Sequence, residues 1–312
     1  MIGYLVRRLV WSVFVIWFVV STTFAMLMWI PAEPARTLVG PHATPETLAR
    51  VRQAYCLDAG FVETYGCFVG RMVRGDMGES FRTGRDVAGI IADKIWPTVQ
   101  LALAAMFLQL AMAIPLGLIA ATRRNRLADY LASGTAAIGQ SAPTFFVGLL
   151  LMYLCGYRLG WFPISGYGEG FWDRLHHLIL PGLTLAVVGA AYYTRLLRSE
   201  MIEVLTTDYV RTARAKGLSE RMVVTKHGLR TGLGPVVTFI GLDLGVLMGG
   251  AVVTESIFAW PGLGREVLSA VLNIDIPLIL GVVTVTSLAI VGANLVTDLA
   301  YAWLDPRVRL SA

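Results

Sequence analysis

Few residues of this chain have a type and spacing that could carry chemistry. Asp243 interrupts an apolar, glycine-rich run from Thr231 to Thr254. A carboxylate in such a run is costly unless it faces a cavity or bonds a neighbouring helix, and a place on a transport route and a bond between helices meet that demand equally well. His176 and His177 are an adjacent pair that brings metal to mind. Neighbouring helical positions point about 100° apart, so the two rings do not converge on one ion, and no carboxylate is suitably spaced; no metal site is expected. Cys155 sits in an apolar segment and reads as a small buried hydrophobe. Cys56 and Cys67 stand eleven residues apart in a long polar region, where a disulfide would fit if that region is extracytoplasmic. There is no Gly-x-x-x-x-Gly-Lys-[Ser/Thr] loop, no His-Glu-x-x-His and no Gly-x-Ser-x-Gly. No catalytic residue is therefore assigned, and the chain is not read as an enzyme.

The best organised polar stretch runs from Ser199 to Pro235. Thr207 or Asp208 can cap a helix start by satisfying free N–H groups of a first turn. Tyr209, Val210 and Ala213 then form an apolar strip, with Arg211, Arg214 and Lys216 on the remaining surface. Gly217 falls where a helix would end on a left-handed residue. Ser219 and Glu220 restart the pattern, and Leu218, Met222 and Val223 supply a second strip. Two short helices about a glycine elbow, held against a membrane, make a docking surface; a basic loop lying on anionic lipid is the simpler reading of the same pattern.

The elements that must position these residues follow from composition. Of 312 residues, 56% are apolar and 15% charged, and the mean hydropathy is +0.65. That balance suits an all-α polytopic membrane protein better than a soluble core. A net charge of +5 is then no nucleic-acid footprint, because basic residues of membrane proteins gather on the cytoplasmic side. Leu9 to Ile30 is 22 residues without a charge, long enough to span a bilayer and too long for a signal-peptide core. The chain divides into 1–30 (N-terminus and first span), a helical extracytoplasmic loop at 31–95 and a core at 96–312. Within the core, spans are expected at 98–121, 130–157, 178–194, 231–254 and 276–297, with a polar segment at 199–230 and an outer loop at 255–275. Gln140, Ser141 and Pro143 mark a polar break in the third span. With both termini inside, cytoplasmic segments hold 15 Lys/Arg while the two short outer loops hold 3; the reverse orientation would put the eight Lys/Arg that lie between the fourth and fifth spans outside.

The run DYVRTARAKGLSERMVVTKHGLR resembles the cytoplasmic signature loop, or coupling helix, of ABC-importer permeases, in the wording of the dipeptide, oligopeptide and nickel branch. Ala213 and Gly217 match at the right spacing. Arg211 stands where the motif's glutamate would be, and Gly234-Pro235 replaces the usual Leu-Pro. GDMGES (75–80), ESIFAWPGLGREV (255–267) and the closing Asn294, Asp298, Tyr301 and Leu304-Asp305-Pro306-Arg307 are similar to other parts of the same family.

The resemblance implies six transmembrane helices in the type I importer architecture. It implies a multi-pass subunit of the bacterial inner membrane that pairs with a second, similar permease, rests on two cytoplasmic ATPases and receives solute from an extracytoplasmic binding protein. ATP and magnesium would belong to the ATPases, with no cofactor in this chain. It implies coupling roles for Asp208, Tyr209, Arg211, Ala213, Arg214, Ala215, Lys216 and Gly217, and adds Glu255, Asn294 and Asp298 to Asp243 as residues of the pathway or its gate. Short peptides are the favoured solute, with nickel or another small solute as the alternative. The competing class is an ion-coupled secondary transporter using Asp243 or Asp298, which leaves the basic elbow without a role.

Overall fold

Residues 2–29, 60–249 and 251–304 are described by a computed structural model, in which every regular element is a helix. The helices are α1 (Ile2–Met28), α2 (Phe61–Val73), α3 (Val87–Thr122), α4 (Leu127–Ser141), α5 (Thr144–Arg158), α6 (Gly170–Val204), α7 (Asp208–Ala215), α8 (Glu220–Gly232), α9 (Gly234–Met248), α10 (Val252–Ile257), α11 (Leu263–Leu272) and α12 (Ile276–Leu304). Four of them, α1, α3, α6 and α12, are long and apolar enough to cross a membrane unbroken. The pairs α4–α5 and α8–α9 each make one more span if counted through a bend, giving six.

Those bends have local causes. Pro143 cannot continue α4, and the residue before a proline is pushed out of the helical region. Ala142 accordingly lies extended at φ −76°, ψ 129°, and α5 leaves α4 at 105°. The break thus falls at the polar Gln140-Ser141-Pro143 stretch, and the expected third span is two helices. Gly234-Pro235 opens α9 after a 49° bend from α8, with the proline in the first turn, where its missing N–H has no helical partner to lose. α9 stops at Met248, and residues 252–254 belong to the separate α10 rather than to a continuous 231–254 span.

The core sits between α3 and α6, which pack along most of their length. Small residues let the two backbones close: Ala105, Ala113, Gly117 and Ala120 on α3 face Gly182, Ala186, Gly189 and Ala190 on α6. A Cβ on Gly117 would come within 3.1 Å of the Thr194 carbonyl and Leu197 Cβ. Without a hydrophobic drive between helices in lipid, such close contact is what holds them together. In contrast, α1 exposes Trp11, Phe14, Trp17 and Phe18 and buries Val20 and Phe24. Phe24 meets Phe61, Tyr65 and Phe68 of α2 at ring separations of 5.8, 5.4 and 5.1 Å, so the amphipathic α2 packs on one end of the first span.

Candidate functional site

The elbow between α6 and α9 is a small folded unit. Val204, Val210, Ala213 and Val223 form its own buried cluster, with Leu205 and Leu218 packed against it. Gly217 turns the chain at φ +77°, a region that costs L side chains steric strain and glycine little. Arg214 closes the turn: its Nη2 donates to Glu220 Oε1 at 2.7 Å and its Nε to Oε2 at 3.1 Å. Arg214 Nη1 also donates to the Leu205 carbonyl at 3.3 Å, tying the elbow to the end of α6. Thr207 occupies the capping position of α7, but its hydroxyl donates back to Val204 O at 2.6 Å instead of capping the helix. Tyr209 stands at the rim of the strip rather than inside it, its hydroxyl donating to Thr231 Oγ1 at 3.1 Å. Arg211, Ala215 and Lys216 are exposed, and Arg211 reaches Asp208 at 3.4 Å. The outward face of the elbow is basic, and its inward face is apolar and occupied.

Asp243 is bonded to two other spans. Gln109 Nε2 donates to its Oδ2 at 2.6 Å and Tyr193 OH to the same oxygen at 3.2 Å. Gln109 and Tyr193 are buried. Gly189 makes the room, since a Cβ there would lie 1.8 Å from Gln109 Oε1. One carboxylate oxygen therefore gathers α3, α6 and α9.

Glu255 is fully buried on α10. It accepts from Thr98 Oγ1 at 3.0 Å and from the Arg265 N–H, at the start of α11, at 2.9 Å. Thr98 Oγ1 in turn accepts from Leu263 N at 2.8 Å, and Trp260 Nε1 donates to Pro97 O at 2.9 Å. The Pro261-Gly262-Leu263-Gly264 loop has to be glycine-rich, because a Cβ on Gly262 would sit 2.2 Å from Glu255 Oε1 and one on Gly264 would sit 2.9 Å from Val252 Cα. The loop is folded onto α3 at Pro97 and Thr98, and Glu255 is turned into that contact.

The remaining expected residues scatter. Asn294 lies on α12, its Oδ1 buried and without a hydrogen-bond partner, beside a cleft of about 460 Å³ that Arg7, Arg8 and Trp11 also line. The backbone of Asp298 continues α12, and its side chain lies outside the described residues. The disulfide expectation lies partly outside them as well: Cys67 is on α2 and Cys56 is not described. His176 Nε2 lies 2.8 Å from Trp161 O, and His177 Nδ1 lies 2.9 Å from Asp173 O. Among the described residues no group of three or more His, Cys, Asp or Glu converges on a metal position.

Two buried links escaped the sequence reading. Asp129, at the start of α4, takes Arg198 of α6 in a fork of 2.6 and 2.7 Å and also accepts from Asn125 N and Ser133 Oγ at 2.9 and 3.2 Å. Asp275, just before α12, accepts from Ser80 Oγ at 2.6 Å and Phe81 N at 3.1 Å. Each acid lies at the edge of an apolar run and has no sequence neighbour that marks it as buried.

Six helical spans held together by buried polar clamps, with a basic elbow folded between two of them, define a helical membrane transport subunit. The fold agrees: the inward-facing MetNI methionine ABC transporter aligns at a TM-score of 0.58 and 17% identity over 69% of this chain and 96% of that one. An amino acid ABC transporter with histidines aligns at 0.52 and 14% over 69% of this chain and 94% of its own. The chain belongs to the family of inner membrane components of binding-protein-dependent transport systems, whose description matches residues 113–310, with the matching N-terminal component at residues 1–102. It is 38% identical to the glutathione transport system permease protein GsiC of Escherichia coli, over 99% of both chains. It is 34% identical to the dipeptide transport system permease protein DppB of Alkalihalophilus pseudofirmus, over 99% of this chain and 100% of that protein. It is accordingly a permease component of an ABC importer.

Proposed function

We propose that this permease forms half of a translocation pathway for short peptides, pairs with a second, similar permease, and is driven by two cytoplasmic ATPases that carry the ATP and magnesium. An extracytoplasmic binding protein delivers the solute. Both termini and the elbow face the cytoplasm, as the distribution of Lys and Arg favours. The observation that carries this reading is the elbow itself. Its apolar face is already filled by Val210, Ala213 and Val223, so the exposed Arg211, Ala215 and Lys216 are left to meet another protein. The curvature at Gly217 lets α7 and α8 enter a cleft together, and α8 runs directly into α9, so movement of the elbow is passed to a span.

The peptide assignment rests on relatives named for dipeptide and glutathione transport; nickel or another small solute is the alternative. The deciding experiment reconstitutes the complete transporter with its binding protein and measures ATP hydrolysis against a panel of dipeptides, glutathione and nickel salts. Stimulation by dipeptides or glutathione supports the reading. Stimulation by nickel alone replaces the solute, and a chain that transports without any ATPase overturns the importer mechanism.

The structure also supports distinct roles within the pathway set. Asp243 joins three spans and acts as a hinge-point between them. Glu255 acts as the latch that seats the outer loop. The placement of both cysteines in the long polar region before the second span is the ground for a further proposal, an extracytoplasmic disulfide between Cys56 and Cys67.

A further inference from the structure

The first and last spans meet at one end and part at the other. Phe24, late in α1, packs with Ile276 and Leu280 at the start of α12 in one buried cluster. Towards the opposite end the two helices leave a cleft of about 460 Å³, lined by Arg7, Arg8, Ser12 and Val15 of α1 and by Val291 and Leu295 of α12. Arg8, Ser12 and Val15 recur at four and three residues, as Val291 and Leu295 do at four, so each set lies on one helical face. The cleft is therefore a seam between two spans and not a dent in one.

Its lining is graded along the helix axis. Arg7 and Arg8 stand at the start of the span, Ser12 comes about one turn further in, and Val15 with Val291 lies deeper. Trp11 lines the cleft beside the arginines and brings an indole N–H, at the level where aromatic side chains meet headgroups. Among the described residues no acid lines the cleft, and Arg7, which is exposed, forms no ion pair with any of them. Asn294 also borders it, but its Oδ1 is turned towards α9, 3.3 Å from where a Cβ on Gly245 would lie, and takes no part. What the cleft offers is a cationic, donor-rich mouth and an apolar wall behind it.

We propose that this cleft holds an anionic phospholipid of the cytoplasmic leaflet, with its phosphate against Arg7 and Arg8 and an acyl chain along Val15 and Val291. Guanidinium forks match phosphate oxygens, and basic pockets between spans on the cytoplasmic side suit anionic headgroups. A soluble phosphate would use the arginines and leave the apolar wall bare, whereas a lipid covers both. Two guanidinium charges with no acid beside them favour a headgroup of net negative charge over a zwitterion. The inference rests on the orientation in the reading above, which puts the start of α1 in the cytoplasm.

The test titrates the complete transporter in detergent with phosphatidylglycerol and, separately, with phosphatidylcholine of the same chains, and reads retained lipid by native mass spectrometry. Phosphatidylglycerol is expected to bind saturably and several-fold more tightly than phosphatidylcholine. Arg7→Gln should remove most of that preference at normal complex yield, and Val291→Phe, which crowds the apolar wall, should weaken both lipids. Glycerol phosphate should not displace the bound lipid. Displacement by glycerol phosphate would make the cleft a soluble-anion site and overturn the proposal. Equal retention of the two lipids, or a preference that survives Arg7→Gln, overturns it as well. So does retention of neither, as when the second permease covers the cleft. Protease access to an N-terminal tag in right-side-out vesicles checks the orientation separately. A protected tag without lipid preference removes this site alone, and a cleaved tag removes the orientation and the cytoplasmic leaflet with it.

Discussion

Arg214 and Glu220 clasp each other across Gly217, with donor–acceptor distances of 2.7 and 3.1 Å, so the elbow is closed by its own ion pair. The two side chains remain substantially exposed, and exposed pairs are usually worth under about 1 kcal/mol. The clasp sets the angle between α7 and α8 more than it stabilises the protein.

Gly217 is the sharper probe of that angle. A side chain there would meet nothing within 4 Å, so substitution costs only backbone strain, on the order of 1–2 kcal/mol for a β-branched residue at φ +77°. Gly217→Val is expected to insert normally and to lose co-purified ATPase or solute-stimulated hydrolysis. Gly217→Asn, which tolerates positive φ, should keep most of both. Full coupling in the valine variant would make the elbow a lipid-facing loop.

Asp243 separates charge from hydrogen bonding. An asparagine oxygen can still accept from Gln109 and Tyr193, so Asp243→Asn should assemble and thermally unfold close to wild type. Asp243→Leu strands both donors, at about 1–3 kcal/mol for each buried group left unsatisfied, and should lower the melting temperature clearly. Uptake by the asparagine variant then reports what the charge itself contributes. Equal melting of the leucine variant and wild type would show that the three-span clamp bears no load.

Glu255 should behave as a structural residue. Glu255→Gln turns an amide NH₂ towards the Thr98 hydroxyl or the Arg265 N–H, and bonds to a charged acceptor are worth about 1.5–3 kcal/mol. Gly262→Ala drives a methyl into the same carboxylate. Both variants are expected to give less folded protein and faster proteolysis between α9 and α12. Stable variants with altered transport would instead return Glu255 to the gate.

The Asp129–Arg198 fork joins α4 to α6, and Asp129 is only 3% exposed. Removing one partner of such a pair typically costs about 3–5 kcal/mol, because the other charge is left buried. Arg198→Met should therefore be far less stable than Arg198→Met combined with Asp129→Leu. Additive losses in thermal unfolding would mean that the two do not act as a pair.

Asp76 offers a pH test outside the spans. The bond from Arg71, at 2.8 Å, is the main cause holding the Asp76 carboxyl below its ordinary value, aided by the Gly78 N–H. Because the folded pKa is lowered, the pair's contribution is present at neutral pH and is lost as pH falls through that lowered value. Carboxyl-carbon NMR should give an Asp76 midpoint below that of a free aspartate, and Arg71→Gln should raise it. An unshifted midpoint would dissolve the pair.

Much of the site was legible because its signals are local. The turn at Gly217 follows from one glycine between two short amphipathic stretches, and the bend after Ser141 follows from Pro143. The pairings were not legible. Gln109 meets Asp243 across 134 residues, Thr98 meets Glu255 across 157, and Arg198 meets Asp129 across 69. Nothing in the spacing of one span records which polar group of another will face it.

By itself, then, the sequence determined a helical membrane protein with a basic elbow, because apolar length, charge placement and glycine or proline punctuation act within a few residues of where they are written. Only the tertiary structure decided that Asp243 holds three spans and that Glu255 is buried under its own glycine loop. Those outcomes depend on which helix faces meet, and in a membrane that is settled by close packing of small residues and by polar groups that must find partners away from water.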